Sequence, residues 1–259
     1  MREAPFPGTR AKSAALVRQR FVDALEYRDK IESADGDDEK VPDRDLALEG
    51  LLEVLDGERV VHFHTHRHDD ILTVLRLKKE FGFRVVLHHV SEAHRVAAEI
   101  AAANVPVSLI LVDSPGGKLE AKNLNFKSPP ILERAGVHVA FHTDDYITDS
   151  RLFLRMAAIG VRTGMSREKA LEALTLTGAE ILGLDARTGS LERGKDADFV
   201  ILSGDPFSVY TRVLETWVEG EKVFDLDKPE DRDVADGAYG ALVPSSMTHG
   251  FHGYGEGHR

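Results

Sequence analysis

From Arg59 to Gly164 the apolar residues alternate between the two-residue period of a strand and the 3.6-residue period of a helix, in four successive units. Such alternation predicts a parallel sheet with crossover helices, because parallel neighbours need a connection long enough to return the chain to the same end. The first unit is RVVHFHTH at Arg59 to His66, then the helical DDILTVLRLKKEFG from Asp69 to Gly82. VVLHHV at Val85 to Val90 leads into SEAHRVAAEIAAAN, where Ser91 is placed to cap the helix. VPVSLILVD, ending at Asp113, is a third strand whose unusually continuous apolar run fits burial on both faces, and KSPPILERAG is its helix. VHVAFHTDD, Val137 to Asp145, is the fourth strand, with helices expected around Ser150 to Gly164 and Arg167 to Leu184.

The flanks differ. Leu16, Val17, Phe21, Val22 and Leu25 recur at helical spacing, predicting a long packed helix from Lys12 to Glu32. An acidic loop, Ser33 to Lys40, separates it from a second helix starting near Asp45. Beyond the fourth unit the period returns to short strands, KDADFVILSGDP and VLETWVEGEKVFDL, which predict a small antiparallel layer. From Asp227 the chain becomes polar and Gly-rich, and a mobile tail is expected. Its His249, His252 and His258 fit adventitious metal binding better than a built site, since flexible imidazoles lack a preorganised shell.

Several classes are disfavoured by composition. Lys and Arg number 33 against 44 Asp and Glu, a formal charge of -11, which argues against a broad nucleic-acid surface. With no cysteine, disulfides, thiolate nucleophiles and thiolate metal sites are excluded, leaving His, Asp, Glu or a modified Lys as metal ligands. The first residues hold no sustained apolar stretch, so neither a secretory signal nor a membrane anchor is expected, and the cytoplasm is the default location.

Polar chemistry falls at the carboxyl ends of the strands, where α/β sheets and barrels concentrate their sites. HFHTH puts His62, His64 and His66 on one face by strand alternation. His88 and His89, adjacent in a strand, are expected on opposite faces, and the fourth strand ends in His142, Asp144 and Asp145. These donors suit Zn²⁺, Mn²⁺ or Fe²⁺ with a position left for water. Each histidine taken singly is equally well explained as a hydrogen-bonded core residue, and Asp144 or Asp145 as a helix cap; the convergence favours a site. Arg67 and His68 serve either a substrate anion or a helix start. SPGGK, at Ser114 to Lys118, lacks the spacing of a phosphate loop and reads as a flexible connection, with Lys118, Lys122 and Asn123 as weak substrate-contact candidates. No GxSxG nucleophile elbow occurs.

Over Arg59 to Asp225 the chain resembles the metal-dependent amidohydrolase superfamily, especially its imidazolonepropionase-like and cyclic-amide-hydrolase members. HFHTHR, the TDD of Thr143 to Asp145, and the closing segment LTLTGAEILGLDARTGSLERGKDADFVILSGDP carry the resemblance, the last through Gly189, Leu191, Gly194, Lys195, Ala197 and Asp198. It implies that His64 is the metal-binding His of the fifth barrel strand and His66 its companion, either supporting the ligands from behind or facing substrate. It also implies that His89 is the sixth-strand His, binding a metal or contacting substrate and water, and that Asp144 is the eighth-strand carboxylate, touching the metal and shuttling a proton. The site set is thus catalytic Asp144 and His89, metal-binding His64, His89 and Asp144, and substrate-binding His66, Arg67 and Lys118. The implied cofactor is a divalent metal, zinc with iron or manganese as alternatives, and the implied reaction is hydrolysis of a carbon–nitrogen bond in a small non-peptide amide, cyclic amides among them.

The resemblance lacks one part. Nothing before residue 59 supplies the paired H-x-H of the first barrel strand, and four units fall well short of the about 250 residues that a closed eight-unit barrel takes. The expected α/β architecture is therefore a partial (β/α)8 TIM barrel of amidohydrolase type, the last four units, over residues 1–188. A small β-sandwich segment at 189–226 and a polar tail at 227–259 follow. A half-barrel exposes strand edges, so a homo-oligomer or a complementary half-barrel partner is expected, with neither nucleic acid nor membrane bound. The competing expectation is a noncatalytic or truncated amidohydrolase-like subunit that needs a partner or a missing N-terminal half.

Overall fold

The computed structural model describes residues 6–37, 39–111, 119–145 and 148–237. The Ser114 to Lys118 connection, with candidate Lys118, and the histidines of the tail lie outside them.

Two helices open the described chain. Thr9 accepts a hydrogen bond from the Lys12 backbone N–H to start α1 (Arg10–Ser33), and Asp45 does the same for Ala47 and Leu48 at the start of α2 (Leu46–Leu55). Four strands follow, β1 (Val61–Thr65), β2 (Val85–His89), β3 (Val107–Leu109) and β4 (Val139–Phe141), all parallel and paired in chain order. Between them run α3 (His68–Phe81), α4 (Ala97–Ala102) and α5 (Ser128–Arg134); α6 (Phe153–Arg162), α7 (Arg167–Leu174) and α8 (Leu176–Leu182) come after β4. Gly82 ends α3 at φ +80°, a left-handed cap that glycine adopts without a Cβ penalty.

One face of the sheet carries the main core. Leu87, Val107, Leu109, Val139 and Phe141 pack with Ile71 and Val74 of α3, Ile100 of α4, Leu132 of α5, Met156 of α6 and Ala170 of α7. Phe21 of α1 stacks between Phe81 and Phe83, each ring centre 5.0 Å away. On the opposite face, by the pairings His62 with Val86, His64 with His88, His88 with Ser108 and Ser108 with Ala140, lie the histidines and a smaller apolar group of Val86, Ala140 and Ile181. No described helix is long and apolar enough to cross a membrane.

The C-terminal layer is a three-stranded antiparallel sheet, β5 (Phe199–Leu202), β6 (Val213–Val218) and β7 (Glu221–Asp225). Its approach turn needs Gly189: φ is +91°, and a Cβ there would sit 2.6 Å from that of Ala179. Asp198 accepts from the Glu219 backbone N–H and the Thr188 hydroxyl, tying the turn to the sheet.

Three local expectations are corrected. Ser91 caps no helix; a short 3₁₀ turn, Ala93–Arg95, intervenes, and α4 begins after Val96 with no side-chain cap, the Ser91 hydroxyl being held by His66 instead. The single helix expected over 167–184 breaks at Thr175, where ψ is -89° and the hydroxyl bonds back to the Leu171 carbonyl. Within the expected tail, Pro229–Ala235 form α9, anchored where the Asp231 carboxylate accepts from the Asp225 backbone N–H.

Candidate active site

Alternation along β1 places His62, His64 and His66 on the side away from the main core. His62 and His64 are exposed there, while His66, just past the strand, is buried with Nδ1 2.8 Å from the Ser91 Oγ. His64 and His66 meet edge to face, ring centres 5.0 Å apart.

His88 and His89 correct the strand rule. Both rings lie on the same histidine-lined side, His88 5.6 Å and His89 4.9 Å from the ring of His142. His89 has φ +67°, and the Val90 N–H bonds to the His88 carbonyl two residues back, a γ-turn at the strand end. The turn swings the His89 ring off the helix-covered face, where alternation alone would send it, into contact with His64 at 4.4 Å and His66 at 4.9 Å. Positive φ at His89 and at the β-branched Val90 is unfavourable locally. A tertiary bond holds it, since the Val90 N–H also donates to the Thr65 carbonyl at the end of β1.

From His89 a hydrogen-bonded chain crosses the sheet. His89 Nδ1 is 3.1 Å from His142 Nε2, and His142 Nδ1 is 2.8 Å from the Ser108 Oγ. Burial, with His88 and His66 nearby, pushes His142 down to about 4, so its imidazole is neutral near pH 7. His88 is lowered as well, by burial and by His62, whose Nδ1 lies 2.8 Å from His88 Nε2. Asp144 is exposed at φ +54°, a conformation Asp tolerates better than most residues, with Oδ2 3.9 Å from His89 Nδ1. Neither Asp144 nor Asp145 caps the next helical turn, Ser150–Leu152; Asp149 does.

The substrate-contact candidates separate. His66 belongs to the cluster, whereas Arg67 is engaged in a two-pronged pair with Asp69, both bonds 2.9 Å, which holds that carboxyl at about 2. Lys122 is exposed, and Asn123 donates to Glu92. Burial alone would raise the Glu92 carboxyl, but hydrogen bonds from the His68 ring and backbone and from Asn123 outweigh it and hold the group at about 2.

Sequence reasoning missed Glu120. It lies on the short turn Leu119–Ala121, with Oε1 3.6 Å from His64 Nε2 and 4.0 Å from His66 Nε2. Nothing in the local sequence distinguishes it from a solvated loop acid. Donor atoms of His64, His66 and Glu120 all lie within 4.8 Å of one another, the one trio of potential metal donors that the described residues bring this close. A cavity of about 510 Å³ between the start of α1 and the β1–α3 unit reaches all three. Imidazole nitrogens and a carboxylate are the donor types that zinc and similar divalent ions take, so the residues present fit such an ion.

A model of the amidohydrolase family matches residues 44–224. The amidohydrolase tasK of Hapsidospora irregularis is 28% identical over 203 residues, covering 75% of this chain and 21% of its own. Imidazolonepropionase of Agrobacterium fabrum is 32% identical over 178 residues, covering 59% of this chain and 41% of its own. The crystal structure of an amidohydrolase from Thermotoga maritima superposes with a TM-score of 0.77 at 34% identity, over 85% of this chain and 57% of that one. This chain therefore spans less than two thirds of the length of each of these relatives.

Proposed function

The chain belongs to the amidohydrolase family, and on that premise we propose that it hydrolyses a carbon–nitrogen bond of a small amide, with cyclic amides as the substrate class to try first. One observation carries this reading: His64, His89 and Asp144 come from three different strand ends, yet the His64 and His89 rings are 4.4 Å apart and Asp144 reaches within 3.9 Å of His89. Residues scattered over eighty positions meet where α/β folds do their chemistry.

In this reading His64, His89 and Asp144 would hold a divalent ion, zinc first and iron or manganese as alternatives. When bound, it supplies Lewis acidity that polarises the amide carbonyl and lowers the pKa of a water. Resonance makes the amide unreactive, so expelling nitrogen also demands a proton. Asp144 takes that proton from the attacking water and, as the C–N bond breaks, delivers it to the leaving nitrogen. Its exposure at a strand end gives the carboxylate room to turn from water to leaving group. The chain from Ser108 through His142 to His89 orients the His89 ring. His66 lines the substrate side; Arg67, already paired with Asp69, is a weaker contact.

We read the four-stranded sheet as part of a (β/α)8 barrel whose inner face carries the histidines, and the three-stranded sheet as part of a small sandwich. The exposure of His62 and His64 beside the edge strand β1 supports completion by a second copy or a complementary half-barrel. The acidic net charge supports a small-molecule substrate rather than nucleic acid, and a cytoplasmic setting is the companion proposal.

Amine release from a panel of cyclic and N-acyl amides, with Zn²⁺ or Mn²⁺ added, tests the reading. Turnover is expected, with Asp144→Asn losing on the order of 10²-fold or more in kcat. Turnover that survives Asp144→Asn unchanged would remove Asp144 from the mechanism. No turnover at all would favour the noncatalytic subunit.

A further inference from the structure

We propose that His64, His66 and Glu120 form a divalent-cation site of their own, with two imidazole Nε2 atoms and one carboxylate oxygen as ligands. It shares His64 with the set above and so rests on that reading to this extent; because a neutral imidazole offers one lone pair, the two sets compete for His64, and this one does not depend on Asp144.

The geometry is close to what an ion needs. Ligands about 2.0–2.1 Å from a tetrahedral Zn²⁺ lie about 3.4 Å from one another. Here the two imidazole nitrogens are already 3.6 and 4.0 Å from the same Glu120 oxygen. What remains is a contraction by the two outer members. His64 is exposed and Glu120 half-buried on a short turn, so small rotamer changes close the gap at little cost.

His66 is the fixed member. It is buried, and its Nδ1 sits 2.8 Å from the Ser91 Oγ. When Nδ1–H donates to that hydroxyl, the lone pair is on Nε2, the atom facing Glu120. Metal-bound histidines are held by this arrangement, a hydrogen bond at one nitrogen presetting the other. It also explains the Ser91 side chain, which serves no helix.

Charge and space agree. Among the described residues that line the adjoining cavity, the charged side chains are the carboxylates of Glu120 and Asp70 and the guanidinium of Arg10. Arg10 bonds Asp70 at 2.9 Å and stands 3.9 Å from the second Glu120 oxygen, so Oε1 is the oxygen turned toward the histidines. Among the described residues three protein donors sit beside a cavity of about 510 Å³, and a three-donor set leaves a coordination position for water or substrate, unlike the four-ligand closure of a structural zinc site.

The test uses the full chain with His249, His252 and His258 changed to Asn, so that the tail contributes no ligands. Co²⁺ is titrated while its visible absorption is followed, and Zn²⁺ content is measured by elemental analysis after dialysis, for this parent, Glu120→Gln and Asp144→Asn. Glu120→Gln is expected to weaken one Co²⁺ binding event about tenfold or more and to change the band, with the melting temperature of the metal-free protein unmoved. Asp144→Asn is expected to retain that event. If Glu120→Gln binds both ions as the parent does, or the parent develops no Co²⁺ band, the site is overturned. Loss of binding in Asp144→Asn alone overturns this site and leaves the proposed function standing. Loss in Glu120→Gln alone supports the site and shows that Asp144 is no ligand of this ion, its proton transfer being tested separately by the turnover assay above; loss of the same event in both variants overturns the independence from Asp144.

Discussion

The same four strands present two unlike faces. On one, Leu87, Val107, Leu109, Val139 and Phe141 disappear beneath α3 to α7; on the other, His62, His64, His88 and His142 line up with Ser108 beside a small apolar group that includes Val86 and Ala140. The first face makes stability. The second holds polar rings, and several are buried at a desolvation cost, which is the pattern of a site. Residues one position apart therefore answer to different physics, and substitution should expose the boundary between them.

The largest effect is expected on the helix-covered face. Leu87 is fully buried, and Leu87→Ala should cost about 2–5 kcal/mol in urea unfolding through lost transfer energy and the cavity left behind. A cost under about 1 kcal/mol would mean that this face is not the main core, and the contrast would break.

Next comes Glu92, which ties the end of the β2 unit to the start of α3 and to Asn123, three residues past Glu120. Its folded pKa of about 2 lies below the ordinary 4.5, so the folded state binds fewer protons than the unfolded one between these values. Stability from this group is complete above pH 4.5 and is lost as pH falls toward 2. Glu92→Gln should flatten that part of the stability–pH curve; an unchanged slope would assign the acid sensitivity elsewhere.

The smallest effect is expected at His62, exposed on the histidine face. His62→Ala should change stability by about 0.5 kcal/mol or less, yet raise the His88 pKa by removing a neighbour that lowers it, a shift visible by NMR titration. If stability falls as far as in Leu87→Ala, the two faces are not the distinct environments described here.

Much of this was legible before any coordinates. Strand periodicity located the four parallel strands and put His62 and His64 together, and Gly82 and Asp45 marked helix ends. The closing turn was readable too, since Gly189 occupies a position where any Cβ collides with Ala179. Glu120 was not legible, because a lone acid in a loop has no pattern and its meaning lies in which rings it faces. Ser91 misled, because a hydroxyl at the mouth of a helical segment is a good cap by local rules and a tertiary partner took it.

What the sequence determined by itself was periodicity: alternation in a strand follows from covalent geometry, needs no neighbour, and therefore puts His62 and His64 together on the face opposite Phe63. Only the tertiary structure decided where His89 points. Alternation sends that ring toward the helices, and a γ-turn at φ +67° brings it back beside His64. A positive φ is locally costly and becomes the stable choice only when something distant compensates it. Here the Val90 N–H, bonded to the Thr65 carbonyl of a strand twenty-five residues earlier, is part of that compensation, and local sequence cannot announce it.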